Sequence, residues 1–410
     1  MNSPLTQYFL RHASDTFRSA RGFLTEDYLI LGSIYADQLW DWDTYWLSKG
    51  LLKLLEAFPE EKRTPLVAHI EGSFKNFFAN QGENGKIPLL VGADTQDIFG
   101  CVSDPSHERN QAKPIMAQFA LEICKAKNDF QWMTSYLPSL LKFLNSWWEF
   151  YLSPCGLLVW GGDTAIGVDN DPTTYGRPEF SSANLLLNCF YYKDLLAAFE
   201  IASHLGEHSS CDRLQNRARG LASSIQSECW DDGDGFYYTV DVQCRDMRDK
   251  FIPREIPRGM DMNWRSLPLK VKMFTGFLPM WCGIATAEQA KILVERHLSS
   301  KQEFDSPWGV PTLARNERMY APEIETSNPS NWLGPVWIIA NYLVWEGLRN
   351  YGFKDEANQL ADKTVRLLER DLELTGTLHE CYHPDTAKPN CNGDFLSWNI
   401  LGTLMRKETI

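Results

Sequence analysis

The sequence is poor in several features that mark large classes of proteins, beginning with positive charge. Its 410 residues include 53 acidic and 40 basic side chains, which gives a formal net charge of −13. A chain with this charge and without a basic helix is a poor partner for nucleic acid or for an anionic membrane. No apolar run approaches the ~18 residues of a membrane span, and no apolar leader stands at the N-terminus. We therefore expect a cytoplasmic protein with no membrane association.

Cysteine pairs at metal-binding spacings are also missing. The 10 cysteines are scattered, and no two form a CxxC pair, which argues against a zinc-binding module. Cys124, Cys189 and Cys282 fall in apolar helical segments, as is typical of small buried side chains in a reducing compartment. We expect neither a metal ion nor a cofactor.

Linkers are absent as well. No Pro-, Ser- or Gly-rich tract and no low-complexity segment divides the chain, and 44% of its residues are hydrophobic, which suits a globular protein with a large core. We predict that residues 1–410 form a single domain. A homo-oligomer is compatible with the sequence.

Helices dominate the hydrophobic pattern, and strands are scarce. The predicted helices lie near residues 5–20, 43–57, 64–80, 112–127, 129–150, 181–203, 207–229, 271–283, 286–298, 334–351, 354–372 and 395–406. The best short strand is GFYYTV, residues 235–240, which we expect to pair with a neighbouring loop segment in a minor β-hairpin.

Short and long connections alternate between these helices. Short turns such as 203–207 connect antiparallel neighbours, whereas connections such as 81–111 and 151–180 are far longer than ordinary loops. Six helical hairpins whose long loops share one face form a double ring of helices with a pocket at one end. The chain is therefore predicted to be all-α, an (α/α)6 barrel whose site is built by six loops.

One long loop, WGGDTAIGVDNDPTTYGRP at residues 160–178, has the composition of a sugar site. It combines the carboxylates Asp163, Asp169 and Asp171 with aromatic, amide and guanidinium groups. Carboxylates serve proton transfer, amides bind hydroxyls, and aromatic faces pack on the C–H surface of a sugar. The alternative is a hydrophilic loop with Asx turns and an Arg–Asp pair.

The other long loops carry related groups. Asp43 follows Trp42 at the start of a helix, where it could cap the helix or bind two sugar hydroxyls. DDGDGFYY, residues 231–238, lacks the downstream glutamate of a calcium loop, so we interpret it as a turn. Glu380 lies in the last long loop. Glycoside hydrolysis needs one protonated and one ionised carboxyl across the scissile bond, and Asp169 and Glu380 stand in different loops on the same predicted face. The residues alone do not rank these two above the other carboxylates of the long loops.

Six motifs in order resemble those of glycoside hydrolase family 63. They are Trp42-Asp43, GVDN at 167–170, GFYY at 235–238, GVP at 309–311, WLGPVW at 332–337 and HECYHP at 379–384. The resemblance is to the compact mannosylglycerate and glucosylglycerate hydrolases, and more distantly to trehalases of family 37. It covers most of the chain, from about Trp40 to Trp398.

The resemblance implies an (α/α)6 barrel and hydrolysis of an α-glycoside with inversion. It makes Asp169 the general acid and Glu380 the general base, with Trp42 and Asp43 holding the sugar. Inversion implies carboxyls roughly 6.5–9.5 Å apart, with room for one water. The expected substrate-binding residues are Trp40, Trp42, Asp43, Gln111, Asn170, Arg177, Trp332, Gly334, Tyr382 and Trp398.

Two differences between this sequence and the family motifs bear on which substrate the site would bind. Leu333 stands where members often have an arginine, and NQAKP at 110–114 replaces an S-Q-P-P segment. Glycerate would need a cation, for which the candidates are Lys113, Arg177, Arg258 and Arg315. The alternatives are a trehalase-like or other α-glucosidase acting on a neutral disaccharide, a sugar epimerase using a pair among His107, His379 and His383, and a non-catalytic sugar-binding barrel.

Overall fold

The computed structural model describes residues 3–32, 35, 37–103, 109–244, 253, 255–256, 264–323 and 330–405. Its helices are α1 (Pro4–His12), α2 (Asp41–Lys53), α3 (Glu60–Ala79), α4 (Met116–Lys127), α5 (Leu137–Tyr151), α6 (Leu185–His204), α7 (His208–Ser224), α8 (Leu278–Cys282), α9 (Ala287–Ile292), α10 (Ile338–Asn350) and α11 (Lys354–Thr375). The last helical element is a 3-10 helix at Trp398–Thr403, called the final helix below.

The even-numbered helices form a closed inner ring. In order around the ring, α2, α4, α6, α8, α10 and the final helix each contact the next, and the final helix returns to α2. The outer helices pack on this ring: α3 on α2 and α4, α5 and α7 on α6, and α11 on α10. In the sixth pair, α1 packs on the final helix and on α11. The predicted (α/α)6 barrel is confirmed.

Several predicted helices are shorter than their apolar patterns suggested. The first ends at His12, followed by a 3-10 turn at Ala13–Thr16 and a strand, and the last is a 3-10 helix. The helix expected at 271–283 is split into a 3-10 turn, Phe274–Phe277, and the short helix α8. Gly283 and Asn128 end α8 and α4 in left-handed conformations, at φ 71° and 52°, which stop a helix sharply.

Short antiparallel strands lie in the loops between the helices. They are β1 (Phe17–Arg18), β2 (Tyr28–Leu29), β3 (Gln38–Trp40), β4 (Leu90–Gly92), β5 (Ser182–Ala183), β6 (Trp230–Asp231), β7 (Phe236–Tyr237), β8 (Val240–Asp241), β9 (Leu267–Pro268), β10 (Cys381–Tyr382) and β11 (Pro389–Asn390). The predicted strand at 235–240 is two strands: β7 forms a hairpin with β6, and β8 lies between β5 and β9 in a three-stranded sheet.

The core fills both rings and the seam between them, and it includes the fully buried Trp46, Trp147 and Tyr191. Gly50 of α2 allows close contact with the final helix, because a Cβ there would lie 2.2 Å from Ile400 Cγ2. Within the part of the chain that the structure describes, no helix is both long and apolar enough to cross a bilayer.

Candidate active site

A cavity of about 270 Å³ opens between the long connections at one end of the barrel. Among the described residues, five of the six predicted long connections contribute to its wall, whereas the prediction had all six; the connection at 230–270 adds no described lining residue. Its lining residues are Leu31, Tyr35, Trp40, Trp42, Asp43, Leu89, Lys113, Ala165, Gly167, Asp169, Ser330, Trp332, Trp337, Glu380, Asn392, Phe395 and Trp398. Both predicted catalytic carboxyls are among them.

Tryptophans form one wall of the cavity. Trp332 stacks on Trp337 with ring centroids 4.0 Å apart and an interplanar angle of 5°. Trp42 packs against Trp332 at 6.0 Å and against Trp398 at 5.4 Å. Neighbouring rings hold each tryptophan, so a flat apolar surface is present before any ligand arrives.

Glu380 lies immediately before β10 and is held at both its backbone and its carboxyl group. Tyr382, the second residue of β10, pairs with Val336 just before α10 and donates through its hydroxyl to Asp371 Oδ2 at 2.8 Å. At the side chain, Oε1 accepts from Tyr35 Oη at 3.0 Å and from Asn392 Nδ2 at 3.1 Å. Burial raises the pKa of Glu380; these two hydrogen bonds lower it, and the charge of Asp169 raises it further.

Asp169 is positioned by the two residues that follow it. Asn170 accepts from Trp332 N at 2.7 Å and donates to Asn331 Oδ1 at 2.9 Å, which joins this loop to the loop before α10. Asp171 accepts from Thr173 N at 2.8 Å and closes a buried turn. Burial raises the pKa of Asp169, while a hydrogen bond from Ser330 and the charge of Lys113 oppose the rise.

Asp43 lies in the first turn of α2 and does not cap it, because the N-cap residue is Trp40. Behind it, Lys113 Nζ contacts Asp41 Oδ1 and Oδ2 at 3.1 and 3.2 Å and lies 5.0 Å from the centroid of the Trp42 ring. Burial raises the pKa of Asp43 well above its ordinary value, Lys113 opposes this, and the charges of Asp41 and Glu380 add to it. Asp43 thus shares the electrostatic environment of the proposed base.

Gly167 permits this close packing. Its φ is 87°, a conformation that L side chains rarely adopt, and a Cβ there would lie 2.5 Å from Lys113 Cε and 2.9 Å from Trp42 Cζ2. The loop that carries Asp169 therefore lies directly against the lysine and the tryptophan.

Trp40, Trp42, Asp43, Trp332 and Trp398 line the cavity, whereas the other five predicted substrate-binding residues do not. Asn170 makes the loop-to-loop contacts described above. Gln111 exchanges hydrogen bonds with Ser146 Oγ at 3.0 and 3.1 Å inside the core.

Tyr382, Gly334 and Arg177 also make contacts elsewhere. The Tyr382 hydroxyl donates a hydrogen bond to Asp371. Gly334 has φ 129° and lies against the Tyr320 ring, which a Cβ would approach to 2.6 Å. Arg177 forms an ion pair with Asp241. These positions support roles in shaping the loops rather than contacts across the cavity.

The candidate cations for a substrate carboxylate are widely separated. Lys113 lines the cavity but is paired with Asp41, and Arg315 Nη1 contacts Asp385 Oδ1 at 2.8 Å. Arg177 and Arg109 line a second cavity of about 270 Å³ that shares Ala165 with the first. Arg258 lies outside the described residues.

The other predicted features concern the aspartate-rich turn at 231–238, metal binding and the loop histidines. The side chains of Asp231 and Asp234 both contact Lys270 Nζ, at 2.9 and 3.0 Å, so this turn is organised by a lysine. No group of three or more metal-binding side chains comes together among the described ranges. His379 Nδ1 contacts Asp371 at 2.9 Å, His383 lies outside the cavity wall, and His107 is not among the described residues.

Sequence reasoning missed Tyr35, Ser330 and Asn392. They supply the hydrogen bonds to Glu380 and Asp169, yet none stands in a recognisable motif. Tyr35 is 345 positions from Glu380 in sequence, so no spacing could reveal the pair. Asn392 had a weak signal, because it lies 12 residues from Glu380 in the same loop.

A barrel of six helical hairpins whose loop end holds two carboxyls beside a tryptophan wall defines an (α/α)6 glycoside hydrolase. The chain belongs to the family described as the mannosylglycerate hydrolase MGH1-like glycoside hydrolase domain, whose family model matches residues 70–398.

Individual relatives agree with this family. Mannosylglycerate hydrolase of Rubrobacter radiotolerans is 25% identical over 199 residues, which cover 48% of this chain and 38% of that protein. The chain spans less than half the length of the curated relatives it matches.

Solved structures share the whole fold. The GH63 mannosylglycerate hydrolase from Thermus thermophilus, in complex with Tris and D-glycerate, aligns with a TM-score of 0.71 at 17% identity, covering 98% of this chain and 99% of that one. Neutral trehalase from Saccharomyces cerevisiae aligns with a TM-score of 0.62 at 16% identity, covering 99% of this chain and 81% of that one. At these identities the likeness establishes the fold.

Proposed function

We propose that the protein is an inverting α-glycosidase that hydrolyses a small α-glucoside or α-mannoside, of the kind represented by glucosylglycerate and mannosylglycerate. The observation that carries the proposal is that Asp169 and Glu380 line one cavity and that the charge of Asp169 raises the pKa of Glu380. Two interacting carboxyls over an aromatic wall are the minimum that this chemistry needs.

In the proposed mechanism, Asp169 donates its proton to the glycosidic oxygen as the bond to the anomeric carbon breaks. Its raised pKa, caused mainly by burial, favours the protonated form that an acid needs. Glu380 takes a proton from the water that attacks the opposite face of the sugar. Tyr35 and Asn392 both donate to Oε1, and in this mechanism Oε2 binds that water.

The size of the cavity supports a small substrate. About 270 Å³ lies just below the range of ~300–1,000 Å³ that is usual for drug-sized ligands. One sugar ring against Trp42 and beside Asp43 would use most of this space. The leaving group would then extend past Ala165 toward the second cavity.

The second cavity supports an anionic leaving group such as glycerate. Arg109 and Arg177 line it together with Asp163 and Glu179. Because Arg177 is paired with Asp241, we assign the carboxylate to Arg109, whose guanidinium can bind it in a two-pronged geometry. A neutral disaccharide is the second candidate, because the chain shares its fold with neutral trehalase along nearly its whole length.

The experiment is a hydrolysis screen of mannosylglycerate, glucosylglycerate, trehalose, kojibiose, nigerose and sucrose. Asp169→Asn and Glu380→Gln should each lower turnover of the true substrate by roughly 10²-fold or more. Their thermal unfolding should remain close to that of the wild type. Wild-type turnover in either variant would contradict the role assigned to that carboxyl.

Product stereochemistry tests inversion directly. Proton NMR of the first-formed sugar should show the β anomer. An initial α anomer would exclude the single displacement by water and would require a covalent intermediate.

We also propose a cytoplasmic location. The 10 cysteines carry no disulfide in the structure, and eight of them are buried. Reduced thiols in these numbers suit a reducing compartment.

A further inference from the structure

Two cysteines flank the groups that hold the proposed base. Cys381 follows Glu380 directly, and Cys391 precedes Asn392, which donates to Glu380 Oε1. The strands β10 and β11 pair Cys381 with Asn390, which brings Cys391 to the same end of the hairpin. The two sulfur atoms lie 3.6 Å apart, in contact but not bonded.

The two thiols differ in their access to solvent. Cys381 is fully buried, and burial raises the pKa of its thiol well above the ordinary value. Cys391 is partly exposed, a property that it shares with Cys244 alone among the 10 cysteines. A small oxidant would therefore reach Cys391 first, while Cys381 is in place to react with the product.

We propose that Cys391 and Cys381 form a reversible oxidation site, in which a hydroperoxide converts the two thiols into a disulfide. Cys391 Sγ attacks one oxygen of the peroxide; its O–O bond breaks, a sulfenic acid forms, and water or an alcohol leaves. Cys381 Sγ then attacks the Cys391 sulfur, the S–O bond breaks, and the hydroxide leaves as water with the thiol proton. The two thiols lose two electrons, and the peroxide gains them.

The disulfide would disturb the proposed base, a consequence that rests on the function proposed above for Glu380. A disulfide bond is about 2.05 Å long, so the sulfurs must approach by about 1.5 Å from their present separation. Glu380 and Asn392 are covalently adjacent to the cysteines that move. Because a misplacement of about 1 Å can cost roughly 10²-fold in rate, we expect oxidation to lower turnover at least 10-fold.

The test treats the full chain with hydrogen peroxide, blocks the remaining thiols with iodoacetamide, and maps peptides without reduction. A peptide that links Cys381 to Cys391 is expected, together with loss of hydrolysis that dithiothreitol restores. Cys391→Ser should keep the activity of the reduced protein and resist peroxide. Cys244→Ser, which removes the other partly exposed thiol, should remain sensitive.

The peptide map decides the oxidation site even if no hydrolytic substrate is found, so its failure is separate from failure of the proposed function. Absence of the linked peptide, with Cys391 overoxidised or unmodified, would overturn the site. A linked peptide with unchanged turnover would overturn the effect on Glu380. Equal sensitivity of Cys391→Ser and the wild type would show that inactivation arises elsewhere.

Discussion

Lys113 is the one cation among the described residues that line the cavity of Asp169 and Glu380, and its charge acts on the proposed acid. It lowers the pKa of Asp169, opposing the larger rise that burial causes. An acid catalyst must be protonated, so its pKa sets the pH above which activity falls. With Asp169 as the proposed acid, we therefore expect Lys113 to limit how far the active range extends into alkaline pH.

Replacing the Asp41–Lys113 ion pair should shift the pH profile. Removal of the lysine alone would leave Asp41 buried without its cation, so the variant is the double substitution Asp41→Asn with Lys113→Met. We expect the pKa of Asp169 to rise, and the alkaline limb of kcat/KM to move to higher pH.

The control is Lys270→Met, which removes a lysine paired with Asp231 and Asp234 outside the cavity. Its pH profile should match that of the wild type. An alkaline limb that stays in place in the double variant would show that Asp169 is not the group titrating there.

Motifs located the carboxyls of the site but not the side chains that orient them. The long loops hold many carboxylates, and their composition did not rank them; the resemblance to the GVDN and HECYHP motifs selected Asp169 and Glu380. Gln111 also stood next to a helix start, yet its side chain bonds to Ser146 in the core. Sequence composition cannot distinguish a polar side chain that faces a cavity from one that satisfies a buried partner.

At the scale of elements, the alternation of short and long connections was enough to predict the ring. It depends on the positions of turns, which Gly, Pro and Asn mark locally. The ends of the helices were harder to predict from the sequence, because apolar periodicity continues through 3-10 and π turns. Residues 293–298, for example, continue α9 as a π turn.

The contact between α2 and the final helix gives a prediction at this scale. Gly50→Ala would place a methyl group 2.2 Å from Ile400 Cγ2, which forces the two inner-ring helices apart. We expect a loss of about 1–3 kcal/mol in the free energy of unfolding, measured by denaturant titration.

Gly220→Ala is the matched control, since Gly220 lies in α7 with nothing within 4 Å of a built Cβ. Alanine there should stabilise the protein by about 0.5–1 kcal/mol through helix propensity alone. Equal changes in the free energy of unfolding for the two substitutions would mean that α2 and the final helix can move apart at little cost.

At the scale of the molecule, the ring closes through segments that lie far apart in the chain. The sixth helical pair consists of α1 and the final helix, and every other inner helix contacts two ring neighbours. A ring of shared interfaces offers no natural place to divide the structure. This geometry supports the prediction that residues 1–410 behave as one domain.

Leu5→Ala tests whether the closing pair belongs to the same cooperative unit. Leu5 of α1 is 1% exposed, and its Cδ2 lies 3.4 Å from the Cβ position of Gly402 in the final helix. Truncation should cost about 2–5 kcal/mol and lower the melting temperature of a single transition. In calorimetry, the van't Hoff and measured enthalpies should agree.

Leu10→Ala, at a partly buried position in the same helix, should lower the melting temperature less. An early separate transition in Leu5→Ala would show that α1 unfolds independently of the ring and would contradict the single domain.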